Sequence, residues 1–292
     1  MISSRFHCFL CALCGENSMN PKSQKELAFL QDLYVATDWG ERFAGLADKH
    51  VTLPNKGRAL YVAAGTGGHA IALQDRAGKK LKFLCVDEND ECLELARAKA
   101  VAMNAEAEFQ RENPCALTFT GDRFDLVLGD ASLTPPDDFQ KLLTEMIRVA
   151  NFGATVVCWL PTFSSFGEFF SIYWEALQNS GLEDHAIDVE TLITHLPTVS
   201  DIESLADQLG LEAVTSWTVI EEFDFDSGEE FLNSPLITDF LLPNWLQSVP
   251  ESATDRVVEE ISKIIDEERH SGEFLLTLKA TLLVGKKARA ER

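Results

Sequence analysis

Apolar and polar positions follow one another along this chain in two patterns, which predict strands and helices in turn. Short, largely apolar runs are typical of buried parallel strands. Such runs occupy positions 60–63, 81–86, 124–129 and 155–160. Apolar residues recur at helical spacing over 69–76, 90–104 and 138–150. With a weaker strand over 107–110, these segments make five successive strand–helix units. They predict a parallel sheet with helices on both faces.

Further elements are predicted on both sides of these units. Ser23 suits the N-cap of a helix whose apolar residues recur from Leu27 to Tyr34, and a second helical piece follows around Phe43. The stretch 161–187 is predicted to be helical, with an aromatic stripe that indicates core packing, a lid or the wall of an apolar pocket. The remaining predictions are a helix capped by Ser200 and ending near 208, a strand over 211–225, an insertion over 226–271 with a helix over 254–270, and a last strand over 272–284.

The turn after the first strand, Gly65-Thr66-Gly67-Gly68, is the clearest candidate for a ligand site. Glycine suits a turn where the backbone takes positive φ and approaches a ligand closely. The helix that follows presents free N–H groups, which suit a carboxylate or phosphate. Asp87, 20 positions after Gly67 at the end of the second strand, could bind the hydroxyls of a ribose. The pattern predicts a nucleoside derivative as ligand, although a dinucleotide site and an ordinary tight turn have similar spacing.

Composition limits the partners that this chain could have. Apolar residues make up 46% of it, with mixed charge, as in globular proteins. The 25 basic and 47 acidic residues give a net charge of −22, so we expect no nucleic-acid partner. No apolar run reaches the length of a membrane span, and we expect no membrane partner. Single cysteines at 85, 92, 115 and 158 are typical of reduced thiols in a cytoplasmic protein.

Cys8, Cys11 and Cys14 are spaced like metal ligands, but no fourth ligand follows nearby, so we expect no metal site. A secretory signal fits poorly because the apolar run is short and lacks a small-residue cleavage site. We therefore expect residues 1–20 to be a disordered extension, with Met19 as an alternative start of translation.

In this order, the segments resemble the class I S-adenosylmethionine-dependent methyltransferases over roughly residues 25–287. The resemblance rests on Ala59-Leu60-Tyr61-Val62-Ala63-Ala64-Gly65-Thr66-Gly67, on Asp87 as the ribose acid, on Phe124-Asp125-Leu126-Val127, on Arg148-Val149-Ala150-Asn151-Phe152-Gly153 and on the final segment 272–286. It implies an α/β, Rossmann-like, doubly wound sheet of seven strands, mostly parallel with an antiparallel last strand. It also implies S-adenosyl-L-methionine as the cofactor. The predicted parts are a helical cap over 21–56, a methyltransferase domain over 57–287 with helical insertions at about 161–187 and 226–271, and a basic tail over 288–292.

Two positions depart from the pattern of that family. Tyr61 stands where the family has the acid of the first strand, and Ala63 stands at its first glycine. The contact usually made to the methionine amino group must come from elsewhere or be missing. A catalytically inactive, methyltransferase-like binding protein therefore stays open as an alternative, as does an NAD-dependent oxidoreductase.

Candidate site residues follow from the resemblance and from one physical restriction. Adenine pockets of this kind use a side-chain acceptor and the next backbone N–H; Pro114 has no N–H, so we assign Glu112 and Asn113 to adenine. Asp130 could orient or deprotonate an acceptor or could cap a helix, and His195 is a candidate base with a surface position as the alternative. The predicted cofactor-binding residues are Ala63, Gly65, Thr66, Gly67, Asp87, Glu88, Glu112, Asn113, Gly129 and Asp130.

Methyl transfer needs alignment and a dry pocket, and the cofactor carries the reactivity. A carboxylate or thiolate acceptor needs no base, whereas a hydroxyl or amine needs one. The last third of the chain resembles small-molecule members such as the malonyl-carrier-protein and ubiquinone-pathway methyltransferases. We therefore predict a cytoplasmic enzyme that methylates oxygen or carbon of a small or carrier-bound acceptor.

Overall fold

The computed structural model describes residues 22–268 and 274–289. Their strands are β1 Gly57–Val62, β2 Leu81–Asp87, β3 Glu108–Arg111, β4 Phe124–Asp130, β5 Ala150–Pro161, β6 Leu211–Phe225 and β7 Phe274–Lys287. The strands form one seven-stranded sheet in the order β3-β2-β1-β4-β5-β7-β6. Strand β7 runs antiparallel to both of its neighbours, and the other pairs are parallel. The predicted doubly wound sheet with an antiparallel last strand is confirmed.

The helices connect these strands and cover both faces of the sheet. They are α1 Gln24–Leu30, α2 Glu41–His50, α3 Gly68–Ala77, α4 Asp90–Met103, α5 Pro136–Val149, α6 Gly167–Asn179, α7 Ala186–His195, α8 Val199–Gln208, α9 Gly228–Asn233, α10 Leu242–Trp245 and α11 Glu251–Glu268. Wider π-helical turns over Gln31–Gly40 join α1 to α2, and a second π-helical segment covers Leu236–Leu241. Among the described residues, no helix combines the length and the apolar character needed to cross a bilayer.

Alternate side chains of the central strands enter two different cores, because successive residues of a strand point to opposite faces. Tyr61, Leu128 and Trp159 belong to the first core, which the N-terminal helices, α6 and α11 cover. Leu60 and Val127 belong to the second core, which α5 and α8 cover. The site described below lies at the carboxyl ends of β1, β2 and β4, where the chain leaves the parallel strands.

The N-terminal helices agree only in part with the apolar pattern. Ser23 is the N-cap of α1, as predicted, and its side chain pairs with that of Glu26 in a capping box. The apolar residues of this segment do not share one buried face. Leu27 is buried, whereas Phe29, Leu33 and Tyr34 are exposed. The π-helical turns account for part of this difference, since wider turns change which positions share a face.

Three predicted elements after β5 differ from the structure. The stretch 161–187 is not one helix: a loop precedes α6, and α7 continues to His195. Thr198, and not Ser200, caps α8, because its side chain accepts from the N–H of Asp201 (3.2 Å) and Asp201 accepts from the Thr198 N–H (3.0 Å). Helix α11 begins three residues before the predicted 254. The sixth strand matches its predicted bounds.

Candidate functional site

The turn that follows β1 has three residues in the left-handed region, with φ of +55° at Ala63, +53° at Gly65 and +76° at Gly67. Glycine takes this conformation freely, but an L side chain loses about 1 to 2 kcal/mol in it. Ala63 therefore keeps the backbone conformation of a glycine position while carrying a methyl group. The methyl group destabilises the turn at this position without preventing positive φ.

Gly67 and Gly65 are restricted by different neighbours. A Cβ at Gly67 would lie 2.8 Å from the Cβ of Ala96 and 2.8 Å from a ring carbon of Phe109, so this glycine allows the turn to pack against α4 and β3. A Cβ at Gly65 would lie 3.1 Å from Nε2 of Gln31. The N-terminal π-helical segment therefore lies directly on the glycine turn.

Asp87 faces this turn, as the sequence predicts. The Gly65 N–H donates to Oδ2 (2.8 Å) and the Asn89 N–H donates to Oδ1 (2.9 Å). Burial raises the pKa of Asp87, although hydrogen bonds from the backbone N–H groups of Asn89, Gly65 and Glu88 oppose that rise. The two carboxylate oxygens have more lone pairs than these bonds occupy, so the group can still accept from a ligand hydroxyl. The side chain of Glu88 is exposed.

Polar contacts attach the N-terminal segment to the turn. The Thr66 hydroxyl donates to Oδ1 of Asp32 (2.6 Å), and Lys99 both pairs with Asp32 and donates to the carbonyl of Thr66 (3.0 Å). The Cys92 thiol donates to Oε1 of Gln31 (3.2 Å). Sequence reasoning missed Gln31 and Asp32, because they lie in an ordinary amphipathic stretch without a motif.

The loop after β3 lies beside Asp87 and is held by Glu112. The buried carboxylate of Glu112 accepts from Nε2 of Gln110 (2.7 Å), from the Thr118 N–H (2.9 Å) and from the Thr118 hydroxyl (2.7 Å). Its own N–H donates to the carbonyl of Asp87 (3.0 Å). The Asn113 side chain accepts from a backbone N–H of the following turn. Glu112 therefore first serves to shape the loop, and adenine recognition by this pair stays a prediction.

A second polar cluster lies under β1. The Tyr61 hydroxyl is 3.0 Å from Nδ1 of His69, and Nε2 of His69 is 3.0 Å from Oδ1 of Asp48. Arg76 also pairs with Asp48. Burial alone would raise the pKa of Asp48, but hydrogen bonds from His69 and Arg76 outweigh it and lower that pKa to about 2. Asp48 is therefore an ionised acceptor at neutral pH.

Asp130 lies at the end of β4, near this cluster. Its Oδ1 accepts from the Ser132 N–H (2.9 Å), and the Ser132 hydroxyl accepts from the Trp39 indole (3.0 Å). Burial raises the pKa of Asp130, against hydrogen bonds from Ser132 and the charge of His69. The buried indole nitrogen of Trp159 lies on the Asp130 side and also lowers the pKa of that carboxyl.

Gly129 and His195 take places that their predicted roles do not explain. A Cβ at Gly129 would lie 2.5 Å from the sulfur of Met146, so close packing against α5 accounts for this glycine. His195 is exposed in the last turn of α7 and makes no hydrogen bond or ion pair with another described residue. The histidine near Asp130 is His69. The predicted roles of Gly129 and His195 stay predictions.

Metal-ligating side chains do not gather in this site. In residues 22–268 and 274–289, no three His, Cys, Asp or Glu side chains are grouped as they would be around a metal ion. Cys8, Cys11 and Cys14 lie outside the described residues.

The strand order and the glycine turn facing a carboxylate define a nucleoside-binding α/β fold, and known proteins share it. The model of a methyltransferase domain family matches residues 59–153. Demethylmenaquinone methyltransferase of Shouchella clausii is 29% identical over 123 residues, which are 41% of this chain and 52% of that protein. The enzyme of the same name from Lysinibacillus sphaericus is 28% identical over 184 residues, 57% of this chain and 75% of the relative. The chain thus spans about half of the first relative's length.

Two solved structures show the same fold at low identity. The YcgJ protein of Bacillus subtilis superposes with a TM-score of 0.57 and 16% identity, over 86% of this chain and all of that one. Phosphoethanolamine N-methyltransferase 2 of Haemonchus contortus, in complex with S-adenosyl-L-methionine, has a TM-score of 0.53 and 16% identity over 91% of this chain and 58% of that one. Residues 59–153 are thus similar to a methyltransferase domain, and the fold of the whole sheet is that of class I S-adenosylmethionine-dependent methyltransferases. The chain's relatives include small-molecule methyltransferases, and the cofactor of the family is S-adenosylmethionine.

The residues of this chain fit the adenosine half of that cofactor. Asp87 faces the glycine turn, where it accepts from the Gly65 N–H and keeps a lone pair for a ribose hydroxyl. The methionine half meets a different set of groups, because Tyr61 has no charge at the position of the family's acid. Asp130, His69 and Trp159 are the polar side chains that surround that position.

Proposed function

We propose that this protein is an S-adenosylmethionine-dependent methyltransferase that acts on a small acceptor. One observation carries the proposal. The Gly65 N–H donates to the Asp87 carboxylate at 2.8 Å, at the carboxyl ends of β1 and β2. That contact holds an acid beside a turn of positive φ, which is the arrangement that a ribose needs.

Each part of the site has a proposed task. Asp87 would bind the ribose hydroxyls, Thr66 and the turn would support the sugar and the thioether, and the loop held by Glu112 would contact adenine. When bound, the cofactor would supply a methyl group from its sulfonium, and the rest of the cofactor would remain as a neutral thioether. The protein's own contribution is to align the acceptor, exclude water and receive a proton where the acceptor loses one.

A cleft next to the site indicates the class of acceptor. It has a volume of about 400 Å³ and lies between the N-terminal segment, β6 and the segment 234–236, a size that suits a small molecule. Phe223 and Phe225 supply aromatic surface; Asp38, Glu222 and Asp224 supply negative charge, which exceeds the single positive charge of Arg42. Carboxylates at the cleft would repel a phosphate. We therefore propose a neutral acceptor with an apolar or aromatic body.

Trp39 separates this cleft from Asp130. Its ring stacks on Phe223 with centroids 5.8 Å apart, and its indole donates to Ser132. An acceptor that approaches from the cleft must pass Trp39 before it reaches Asp130. Methylation at carbon or oxygen fits this arrangement, since Asp130 could orient or deprotonate a hydroxyl there.

Calorimetry with S-adenosylhomocysteine tests the cofactor. We expect binding by the full chain, and we expect Asp87→Ala to weaken it by about 1 to 3 kcal/mol, because ribose hydroxyls would lose a charged acceptor. Asp75→Ala, an exposed carboxylate on α3, is the matched control and should bind like the parent. Binding of NADH without binding of S-adenosylhomocysteine would replace the proposal by an oxidoreductase. Binding of neither would leave a methyltransferase-like binding protein.

Transfer of a labelled methyl group tests the acceptor. The first probes are a short-chain demethylmenaquinol and phosphoethanolamine, which correspond to the relatives named above. We expect transfer to the quinol and none to the phosphate compound, because the cleft is acidic. Transfer to phosphoethanolamine alone would contradict the proposed acceptor class and leave the cofactor assignment intact.

A further inference from the structure

Strand β6 is the outermost strand of the sheet on the side opposite β3, and only one of its two edges is paired. Its residues pair with β7 alone. Within the described part of the chain, no hydrogen bond joins the backbone groups of the other edge to a second segment. Strand β6 has 15 residues. An unpaired edge of this length can take up a further strand.

The regular part of this edge has a definite centre. The pairing with β7 shifts register between Glu212 and Thr215, and Ala213 in between has φ of +52°. Such a bulge interrupts a strand edge, so the regular edge runs from Thr215 to Phe225. Its middle residue is Ile220. With 62% of its surface accessible, Ile220 is also the most exposed large apolar side chain of β6.

Ile220 belongs to an exposed apolar patch beside the edge. It lines a cleft of about 450 Å³ together with Phe163, Val199 and Lys279. Phe163 is also exposed. Lys279 pairs with Ile220 across β6 and β7, and its ammonium group makes no ion pair with another described residue. The patch therefore combines apolar surface with one positive charge that has no partner.

This edge is complementary to itself. Facing residues of an antiparallel pair point to the same side of the sheet, so in a two-fold symmetric pair one residue faces its own copy. With Ile220 on the axis, the other facing pairs are Val219–Glu221, Thr218–Glu222, Trp217–Phe223, Ser216–Asp224 and Thr215–Phe225. No carboxylate faces a carboxylate in this register, although like charges would destabilise it.

We propose that this protein forms a symmetric dimer in which the β6 strands of two copies pair antiparallel, with Ile220 on the two-fold axis. The two sheets then become one continuous sheet, and Ile220 and Phe163 of both copies form its apolar centre. Each Lys279 lies on the same face as Glu222 of the partner subunit. A basic extended peptide would suit the net charge of the chain, but residues 215–220 carry no charge, which favours an equally uncharged strand.

The dimer also changes the cleft between the N-terminal segment and β6. Phe223 lines that cleft, and Trp217 of the partner subunit would face Phe223 from the neighbouring strand. The partner thus adds an aromatic side chain beside the cleft. Neither the pairing nor its test depends on the proposed function.

Sedimentation equilibrium of the full chain measures the association. Between about 1 and 100 μM, which covers micromolar dissociation constants, we expect a concentration-dependent dimer. Ile220→Lys should raise its dissociation constant at least about tenfold, because two like charges would meet on the axis and apolar contact would be lost. The matched control is Ile187→Lys on α7, where the isoleucine is 61% exposed, and it should associate like the parent. Added salt should strengthen the dimer, because it screens the repulsion between two copies of net charge −22.

Disulfide formation tests the register. Facing residues of an antiparallel pair have Cα atoms about 4.5 to 5.5 Å apart, which a disulfide can span. Ile220→Cys should therefore give a covalent dimer under mild oxidation, beyond any that the parent forms. Thr218→Cys, on the same face, is the control. The two copies of residue 218 would lie about 14 Å apart, which is too far for a disulfide.

A parent that stays monomeric at about 100 μM would overturn the proposal, and so would a dimer that Ile220→Lys leaves intact. Equal cross-linking at residues 218 and 220 would refute the register and with it the proposed dimer. If the monomer instead binds a synthetic, extended lysine-rich peptide, the edge serves a partner of opposite charge and self-pairing is refuted. If Ile220→Lys does not fold, as judged by circular dichroism, the comparison of Ile220→Cys with Thr218→Cys still decides the matter.

Discussion

The two adjacent alanines of the glycine turn allow a direct test of its geometry. Ala63 has φ of +55°, whereas Ala64 lies outside the positive-φ region. Replacing Ala63 by glycine removes about 1 to 2 kcal/mol of left-handed strain and adds about 0.4 to 1 kcal/mol of unfolded-state entropy that folding must overcome. We expect a net gain of about 0.5 to 1 kcal/mol in the free energy of unfolding.

Ala64→Gly is the matched control, because it removes the same methyl group from a neighbouring, similarly half-buried residue. Only the entropy term applies there, so we expect a loss of about 0.4 to 1 kcal/mol. Urea unfolding followed by circular dichroism measures both variants against the parent. The two variants should move the midpoint in opposite directions. Destabilisation of Ala63→Gly to the same extent as Ala64→Gly would refute the assignment of strain to the turn.

Two further predictions concern packing and pH. Gly129→Ala should destabilise the protein by about 1 to 3 kcal/mol because its methyl group would meet Met146, whereas Gly45→Ala, with open space around it in α2, should be neutral or stabilising in the same thermal unfolding assay. The lowered pKa of Asp48 contributes stability above its unfolded pKa near 3.8, and that contribution disappears as pH falls towards 2. The full pKa shift corresponds to about 2.4 kcal/mol in the free energy of unfolding. Solvent screening at this half-exposed site reduces that contribution to about 1 kcal/mol. Asp48→Asn should therefore flatten the dependence of the urea midpoint on pH between 4 and 2, and an unchanged slope would exclude this ion pair as its source.

The strands were predictable because their signals are local. Buried parallel strands are short apolar runs, and Asp87 follows such a run directly, so its position beside the turn could be derived from order alone. Helix caps were less secure. Ser200 and Thr198 can both cap a helix. The structure uses Thr198 because Asp201, three residues later in the sequence, also lies close enough to complete the capping box.

The parts of the site that escaped prediction depend on contacts between distant residues. Gln31 and Asp32 meet the glycine turn only because α1 and the π-helical segment fold back over it. Trp159 has the sequence environment of an ordinary core residue, and its position beside Asp130 becomes visible only in the folded chain. Glu112 differs from these residues. The sequence predicts that its carboxylate contacts a ligand, but in the structure that carboxylate already accepts hydrogen bonds from Thr118.

One ten-residue stretch of wide helical turns, Gln31–Gly40, contacts both halves of the site. Gln31 and Asp32 touch the adenosine side, and Trp39, two turns further on, holds Ser132 next to Asp130. Swinging this stretch outward would uncover the sugar pocket and the acceptor side in a single motion. The nucleoside would then enter and the methylated product would leave through the same opening. A shortened chain that starts at residue 41 would lack the segment that covers this opening.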